Sequence, residues 1–562
     1  MSLRRAAALL AVAAAGCGPA APPPAAEPPP GWFRDVTAEV GLDFTHDAGP
    51  GGAYFLPEIM GSGAAVFDFD NDGRLDVYLV SNGGPRSGSK NKLFRQMPDG
   101  TFRDVSAGSG LDVAGYGMGV AVGDIDNDGF PDLLLTEYGR VRLFRNNGNG
   151  TFTDITEKAG LGSPLWSTSA AFADFDQDGW LDLAVCGYVD YDPSIPCPGT
   201  GGRTDYCHPK GFPGSVTRLY RNLGADPAKR GQFRDVSVAF AVGRVPGPAL
   251  GLLWADFDGD GWPDLFVAND AAPNRLWINH RDGTFVDEAL GRGVAFDLAG
   301  NPLGNMGVAW GDFDGDGRFD LFVTHLTEET HTLWRQGPRG LFRDVTGRAG
   351  LAAPRWRGTG FGTAMLDLDN DGHPDLVVAN GRVNRHPSRA GAGRFDWADY
   401  AERNQLFRNN GDGTFADVGP ENGVLCGRPG VWRGLAYADF DGDGGVDLLL
   451  TQVAGPAKLF RNAVPNRGNW VGVRAIDPRH NRDAYGALVR LTAGGRSWVR
   501  LVNPGSSYLC SNDPRVHFGL GTATPTGLSV RWPDGATEEF DPPPVRKYTT
   551  VKRGTGRAGM TR

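Results

Sequence analysis

The sequence holds no phosphate-binding glycine loop, no Gly-x-Ser-x-Gly nucleophile elbow and no His-Glu-x-x-His zinc motif. Beyond its first residues it has no apolar run long enough to cross a membrane. The commonest routes to nucleotide, acyl-transfer and zinc-protease chemistry are therefore absent. Cysteine is scarce at 6 in 562 residues, which rules out a disulfide-dense small scaffold. Basic excess is lacking too, since the formal charge is -10, and nothing supports a nucleic-acid partner. Glycine (84) and proline (40) are plentiful, yet 40% of residues are hydrophobic and 14 are tryptophan. That balance describes a turn-rich globular chain rather than a disordered one.

A nine-residue loop, Asp68-Phe-Asp70-Asn-Asp72-Gly73-Arg-Leu-Asp76, occurs seven times. Its carboxylates at positions 1, 3, 5 and 9 are Asp68, Asp70, Asp72 and Asp76; Asp124, Asp126, Asp128 and Asp132; Asp174, Asp176, Asp178 and Asp182; Asp256, Asp258, Asp260 and Asp264; Asp312, Asp314, Asp316 and Asp320; Asp367, Asp369, Asp371 and Asp375; Asp439, Asp441, Asp443 and Asp447. Glycine always stands at position 6, so hard oxygen ligands fall on one side of a tight turn, where the carbonyl at position 7 can join them. This is the donor set of a calcium cage, with about seven structural Ca2+ expected. An EF-hand is excluded because it needs Glu at position 12, and Leu79 stands there in the first loop. Asp-Gly is also an ordinary hairpin turn, but seven copies with four aspartates each go far beyond what a turn requires.

Short apolar runs such as Ala64-Ala-Val-Phe67 and Val77-Tyr-Leu-Val80 enter and leave each loop and read as strands A and B. Leu-Phe-Arg-Asn and Gly-Thr-Phe-x-Asp-Val segments follow as strands C and D, as in Leu143 to Asn146 and Thr151 to Ile155. Four short strands per repeat make a propeller blade. The chain opens its repeats with a lone D segment, Phe33 to Thr37, and ends them with a lone C segment, Leu459 to Asn462. The first strand thus completes the last blade and removes the open edges. The expected fold is all-β, a seven-bladed β-propeller over residues 31–465. Spacings of 56, 50, 82, 56, 55 and 72 residues between loops place the two long insertions after strand B, near Gly187 to Val216 and Gly381 to Asn404, on the face opposite the loops. Ordered loops on a rigid scaffold are where binding resides. Residues 466–552 change to period-two alternation and predict a small β-sandwich-like domain, and 553–562 a flexible tail.

The N-terminus resembles a bacterial lipoprotein leader: Arg4-Arg5, an apolar stretch from Ala6 to Ala15, then Ala14-Ala15-Gly16-Cys17 as a lipobox with Ala where Leu is more usual. The resemblance implies a signal over residues 1–17, lipidation of Cys17, and an outer-membrane or cell-surface destination. An ordinary cleaved signal would instead leave a periplasmic or secreted protein. Residues 18–30, rich in Pro and Ala, read as a tether. Of the other cysteines, Cys197 and Cys207 flank a glycine-rich loop and are expected to form a disulfide. Cys426 and Cys510 offer a second pairing between domains, and Cys186 lies in an apolar strand as a buried thiol.

The seven loops resemble FG-GAP repeats, as in the integrin α propeller. Gly505-Ser-Ser-Tyr508, Asp513-Pro-Arg-Val-His-Phe-Gly-Leu-Gly521 and Trp532-Pro-Asp-Gly535 are similar to the ASPIC/UnbV domain. Together they resemble the cartilage acidic protein family and its bacterial relatives, which implies a calcium-bearing propeller with an adhesive or scaffolding role. The expected function is a non-enzymatic surface interaction scaffold. It would bind a protein or glycan through the face opposite the calcium loops, and touch the membrane only through its lipid anchor. The alternative is an enzyme with a pocket at the propeller axis, acting on saccharides or other extracellular substrates. Its sequence candidates are few: His325, Glu328, Glu329 and His331 after one strand B, Asn269, Asp270, Asn274, Asn380 and Asn384 in two others, and a bare Ser87-x-x-Lys90. Loop polarity and turn chemistry account for each of these.

Overall fold

The computed structural model describes residues 31–197, 204–385 and 395–559; the leader, Cys17 and the tether lie outside them. Seven four-stranded antiparallel sheets form the blades, six of them running A to D in chain order from the axis outward. The inner strands are Ala64–Phe67, Gly117–Gly123, Ser167–Ala173, Ala249–Ala255, Val308–Gly311, Gly360–Leu366 and Trp432–Ala438. Each is almost wholly buried, because it meets neighbouring blades on both sides.

In the seventh blade the outer strand is Phe33–Asp35, paired Phe33 to Asn462 and Asp35 to Phe460. The inner strands of the first and last blades also touch, so the ring is closed. A relay of side-chain hydrogen bonds runs around it. The amides of Gln96, Asn146, Asn222, Asn279, Gln336, Asn409 and Asn462 each donate to the carbonyl at loop position 2 of the preceding blade, at 2.7–2.9 Å. The terminal Asn of Leu-Phe-Arg-Asn is thus a clasp between blades, and Gln reaches the same acceptor where it replaces Asn.

The C-terminal region forms two sheets. Asn469–Asp477, Arg482–Asp483, Val516–Gly521 and Lys547–Lys552 make one; Leu488–Ala493, Arg496–Leu501, Pro525–Arg531, Thr537–Phe540 and Arg557–Ala558 make the other. The tail is held as far as it is described, not loose. Arg557–Ala558 pairs with Glu538 and Glu539, and the Glu538 carboxylate accepts the N–H groups of Gly554 and Gly556.

This domain sits on the loop face of the propeller and shares an apolar core with it, through Tyr485, Val502, Phe172 and Leu183. Its segment Asn503–Asn512 enters the axis and bonds to the inner strand of every blade. Ser511 pairs with Ala64 and Val66, and Leu509 with Val120 and Ser169. Asn503 reaches Trp254, Ser507 reaches Val308 and Thr363, and Asn512 reaches Tyr437. Backbone must approach backbone here, so the inner strands carry glycine. A Cβ on Gly63 would lie 2.0 Å from the Leu509 carbonyl oxygen, and one on Gly434 would lie 2.8 Å from Cys510 Sγ. At the far end the Tyr508 hydroxyl donates to Met60 O at 2.9 Å, in a short helix, Pro57–Met60, that caps the opposite face. Cys426 and Cys510 are both buried free thiols in separate clusters, so the second pairing is not made. Cys186 is likewise a buried free thiol, and Cys197 and Cys207 are disulfide-bonded.

Candidate metal centres

Each loop is a turn whose backbone chooses its residues. Position 4 is left-handed in all seven copies, with φ 57° at Asn71, 55° at Asn127, 56° at Gln177, 60° at Asn370 and 71–82° at Gly259, Gly315 and Gly442. Position 6 is left-handed as well, with φ from 82° to 95°. Glycine and asparagine tolerate this region best; Gln177 is the strained exception, and its amide donates to the Gly261 carbonyl of the next loop at 2.7 Å.

The four carboxylates have different tasks. Position 1 accepts the N–H of Gly at position 6, as Asp68 from Gly73 at 2.9 Å. Position 5 accepts the N–H at position 7, as Asp128 from Phe130 at 3.0 Å. Position 9 accepts two backbone N–H groups, from position 2 and from the last residue of strand C. Asp132, for example, takes Ile125 at 2.9 Å and Asn146 at 2.7 Å. This aspartate is buried in every loop and locks three segments of the blade together.

Ligand oxygens at positions 1, 3 and 9 converge within 4.8 Å in the first three loops: Asp68, Asp70 and Asp76; Asp124, Asp126 and Asp132; Asp174, Asp176 and Asp182. In the fourth and fifth the converging set is positions 1, 3 and 5: Asp256, Asp258 and Asp260; Asp312, Asp314 and Asp316. Burial pushes the acids up, to about 8 for Asp76 and Asp367 and about 7 for Asp124, Asp174 and Asp439. Asp70, Asp126, Asp174, Asp176, Asp367 and Asp439 each bury a carboxylate oxygen that has no hydrogen-bond partner. Orphaned anionic oxygens are costly, and an oxygen-only donor set around a glycine turn fits a hard divalent cation.

Sequence reasoning missed the arginine of Leu-Phe-Arg-Asn. Arg95, Arg145, Arg221, Arg335, Arg408 and Arg461 pair with position 3 of their own loops, at Asp70, Asp126, Asp176, Asp314, Asp369 and Asp441. The first five also reach position 5. Its recurrence at a fixed place was the available signal.

The C-terminal domain reads the same loops. Asn481 donates to Asp128 O, Arg482 to Asn127 and Gly179 O, and Trp498 Nε1 to Gly372 O at 2.9 Å. Tyr548 donates to Asp439, and Arg531 pairs with Asp256 at 2.8 Å.

The remaining candidates do not assemble a reactive site. His325 and His331 are buried and mutually packed, with Nδ1 of His331 accepting the His325 N–H and its Nε2 facing Gln405. Glu328 points outward and pairs with Arg382, while Glu329 accepts the Gly304 N–H. Lys90 pairs with Asp112, and Ser87 donates to Gly84 O. Asn269, Asn274 and Asn380 bond backbone carbonyls, Asp270 takes the Tyr188 hydroxyl at 2.7 Å, and Asn384 offers its carbonyl to Arg382. The axis, where the alternative reading put an enzyme pocket, is filled by Asn503–Asn512. On the opposite face the two insertions meet: Tyr400 bonds Asp205 at 2.7 Å, and Tyr206 stacks on Trp397. Half-buried Tyr54, Phe55, Tyr116, Tyr138, Phe395 and Trp397 stand there in ring contact.

FG-GAP-like repeat matches cover residues 68–135, 124–185, 256–323 and 367–450, and an ASPIC and UnbV match covers 477–558. Cartilage acidic protein 1 of Homo sapiens is 29% identical over 314 residues, 54% of this chain and 43% of that protein. The Xenopus tropicalis protein is 32% identical over 281 residues, 48% of this chain and 40% of its own length. The chain therefore spans less than half the length of these curated relatives. Among solved structures, a lectin of Agrocybe aegerita described as recognising non-reducing terminal N-acetylglucosamine aligns at TM-score 0.38 and 17% identity, over 71% of this chain and 94% of that one. A chain from BBS1N in complex with ARL6DN aligns at 0.41 and 10%, over 78% and 98%. The chain is a protein of FG-GAP-like repeats joined to a C-terminal ASPIC and UnbV domain, homologous to cartilage acidic protein 1.

Proposed function

We propose that this chain is an exported, calcium-binding interaction scaffold, anchored through a lipid on Cys17, that holds a protein or glycan ligand on its insertion-bearing face. The carrying observation is the set of buried, unpartnered carboxylate oxygens in loops 1, 2, 3, 6 and 7. In each loop the aspartates at positions 1, 3, 5 and 9 would hold the ion, which supplies positive charge and rigidity and no chemistry. The FG-GAP-like repeats and the homology to cartilage acidic protein 1 support the extracellular setting. Against the enzyme reading stands the filled axis, together with the burial of His325 and His331 away from the outward-pointing Glu328.

Binding of the labelled mature chain to a protein and glycan array tests the reading, with Trp397→Ala and Tyr54→Ala as variants. Binding that needs calcium and falls at least about tenfold in both variants is expected for central aromatic anchors. Binding that ignores both substitutions would overturn the assignment of the face.

A further inference from the structure

The fourth loop breaks the pattern of the other six. Strand C of that blade, Arg275–Asn279, carries Ile278 where the others carry the arginine that pairs with position 3. Three guanidiniums from three other places replace it. Arg281, in the hairpin after strand C, pairs with Asp260 at 2.7 Å. Arg292, at the end of the short helix Ala289–Arg292, stands 3.5 Å from Asp258. Arg531, on a strand of the C-terminal domain, pairs with Asp256 at 2.8 Å.

All three converging carboxylates of this loop therefore already have a cationic partner. Asp256 is also, among the described residues, the only position-1 aspartate in an ion pair with the C-terminal domain. The buried orphan oxygens of loops 1, 2, 3, 6 and 7 have no counterpart here. Loop 5 lacks one too, but it keeps Arg335 on Asp314 and Asp316 and gives no carboxylate to the other domain.

We infer that the blade 4 loop is an exchangeable cation site, where a divalent ion and Arg531 compete for Asp256. A divalent ion entering the loop meets a positive charge bonded to its own ligand, so binding there costs the Asp256 to Arg531 pair. No other loop gives up an interdomain ion pair at position 1 when it fills; the pair that loop 7 makes with the C-terminal domain, Asp443 with Arg467, is at position 5. Blade 4 is then the last loop to load, and its loading loosens the seat of the C-terminal domain at that one point. This rests on the reading of the loops as calcium sites.

The test is calorimetric titration of the chelator-stripped mature chain with calcium alone, for wild type, Arg531→Gln and Asp256→Asn. The weakest class should be a single site. Arg531→Gln should tighten it about fivefold, the effect of removing a partly exposed ion pair, and Asp256→Asn should delete it while the tighter sites stay unmoved. Arg531 is 38% exposed and its strand pairing is made by backbone, so this variant keeps the fold, which circular dichroism verifies. Constants unchanged in Arg531→Gln, or a tight site lost in Asp256→Asn, would overturn the inference. Seven equal sites would sink it alone, whereas no calcium at any site would sink the reading beneath it.

Discussion

At the scale of single residues, two buried ionisable groups under the cap have opposite consequences. Glu58 is buried, and burial pushes its acid up to about 7 although Tyr206 donates to it at 3.2 Å. Its folded pKa lies above its unfolded one, so protonation favours the fold. That stability is complete below about 4.5, is lost as pH rises towards 7 and is absent above it. Glu58→Gln should therefore stabilise the protein at pH 8 by on the order of 1–3 kcal/mol and do little at pH 4.5, as urea unfolding at the two pH values would read. Arg433 is a fully buried cation that donates to Ile59, Gly381, Trp432 and Arg382 carbonyls and lies 3.9 Å over the Phe361 ring. Arg433→Met orphans those carbonyls and should cost about 3 kcal/mol in the same assay. An unchanged midpoint would contradict the role given to it. Neither residue was legible in the sequence, because Glu58 and Arg433 belong to no repeat and owe their roles to partners up to 374 residues away.

Blade elements were legible where period and spacing carry information. Seven loops, the strands on either side and the lone D segment at Phe33 are local patterns, and closure follows from counting them. The axial segment Asn503–Asn512 is different. Its residues Gly505-Ser506-Ser507-Tyr508 carry part of the ASPIC/UnbV resemblance, and only the shape of the assembled ring shows that they thread it. Position-6 glycines likewise have a second reason besides φ: a Cβ on Gly129 or Gly179 would strike Asn481 or His480 of the C-terminal domain. Gly63→Ala tests the axial packing, since its methyl would meet the Leu509 backbone; a loss of about 2–3 kcal/mol is expected from overpacking that no rotamer can relieve. Tyr508→Phe should cost only about 1 kcal/mol, through the hydrogen bond to Met60. Equal tolerance of both substitutions in thermal melts would mean that the segment is not seated as described.

At the scale of the whole molecule, the propeller and the C-terminal domain are one body. The second domain fills the axis of the first, rests on five of its seven loops and shares a core with blades 2 and 3. Calcium held in the loops, as proposed above, would order the surface on which that domain stands, as well as the blades that carry it. Ions that bind the folded state and not the unfolded chain stabilise by mass action, roughly 1 kcal/mol per site at free calcium a few times Kd. The central claim is best tested by scanning calorimetry of the mature protein in calcium and after chelation. The account predicts one cooperative transition that includes both domains, moving down by many degrees when the ion is removed. Two separate transitions in calcium, or a midpoint indifferent to chelation, would contradict it.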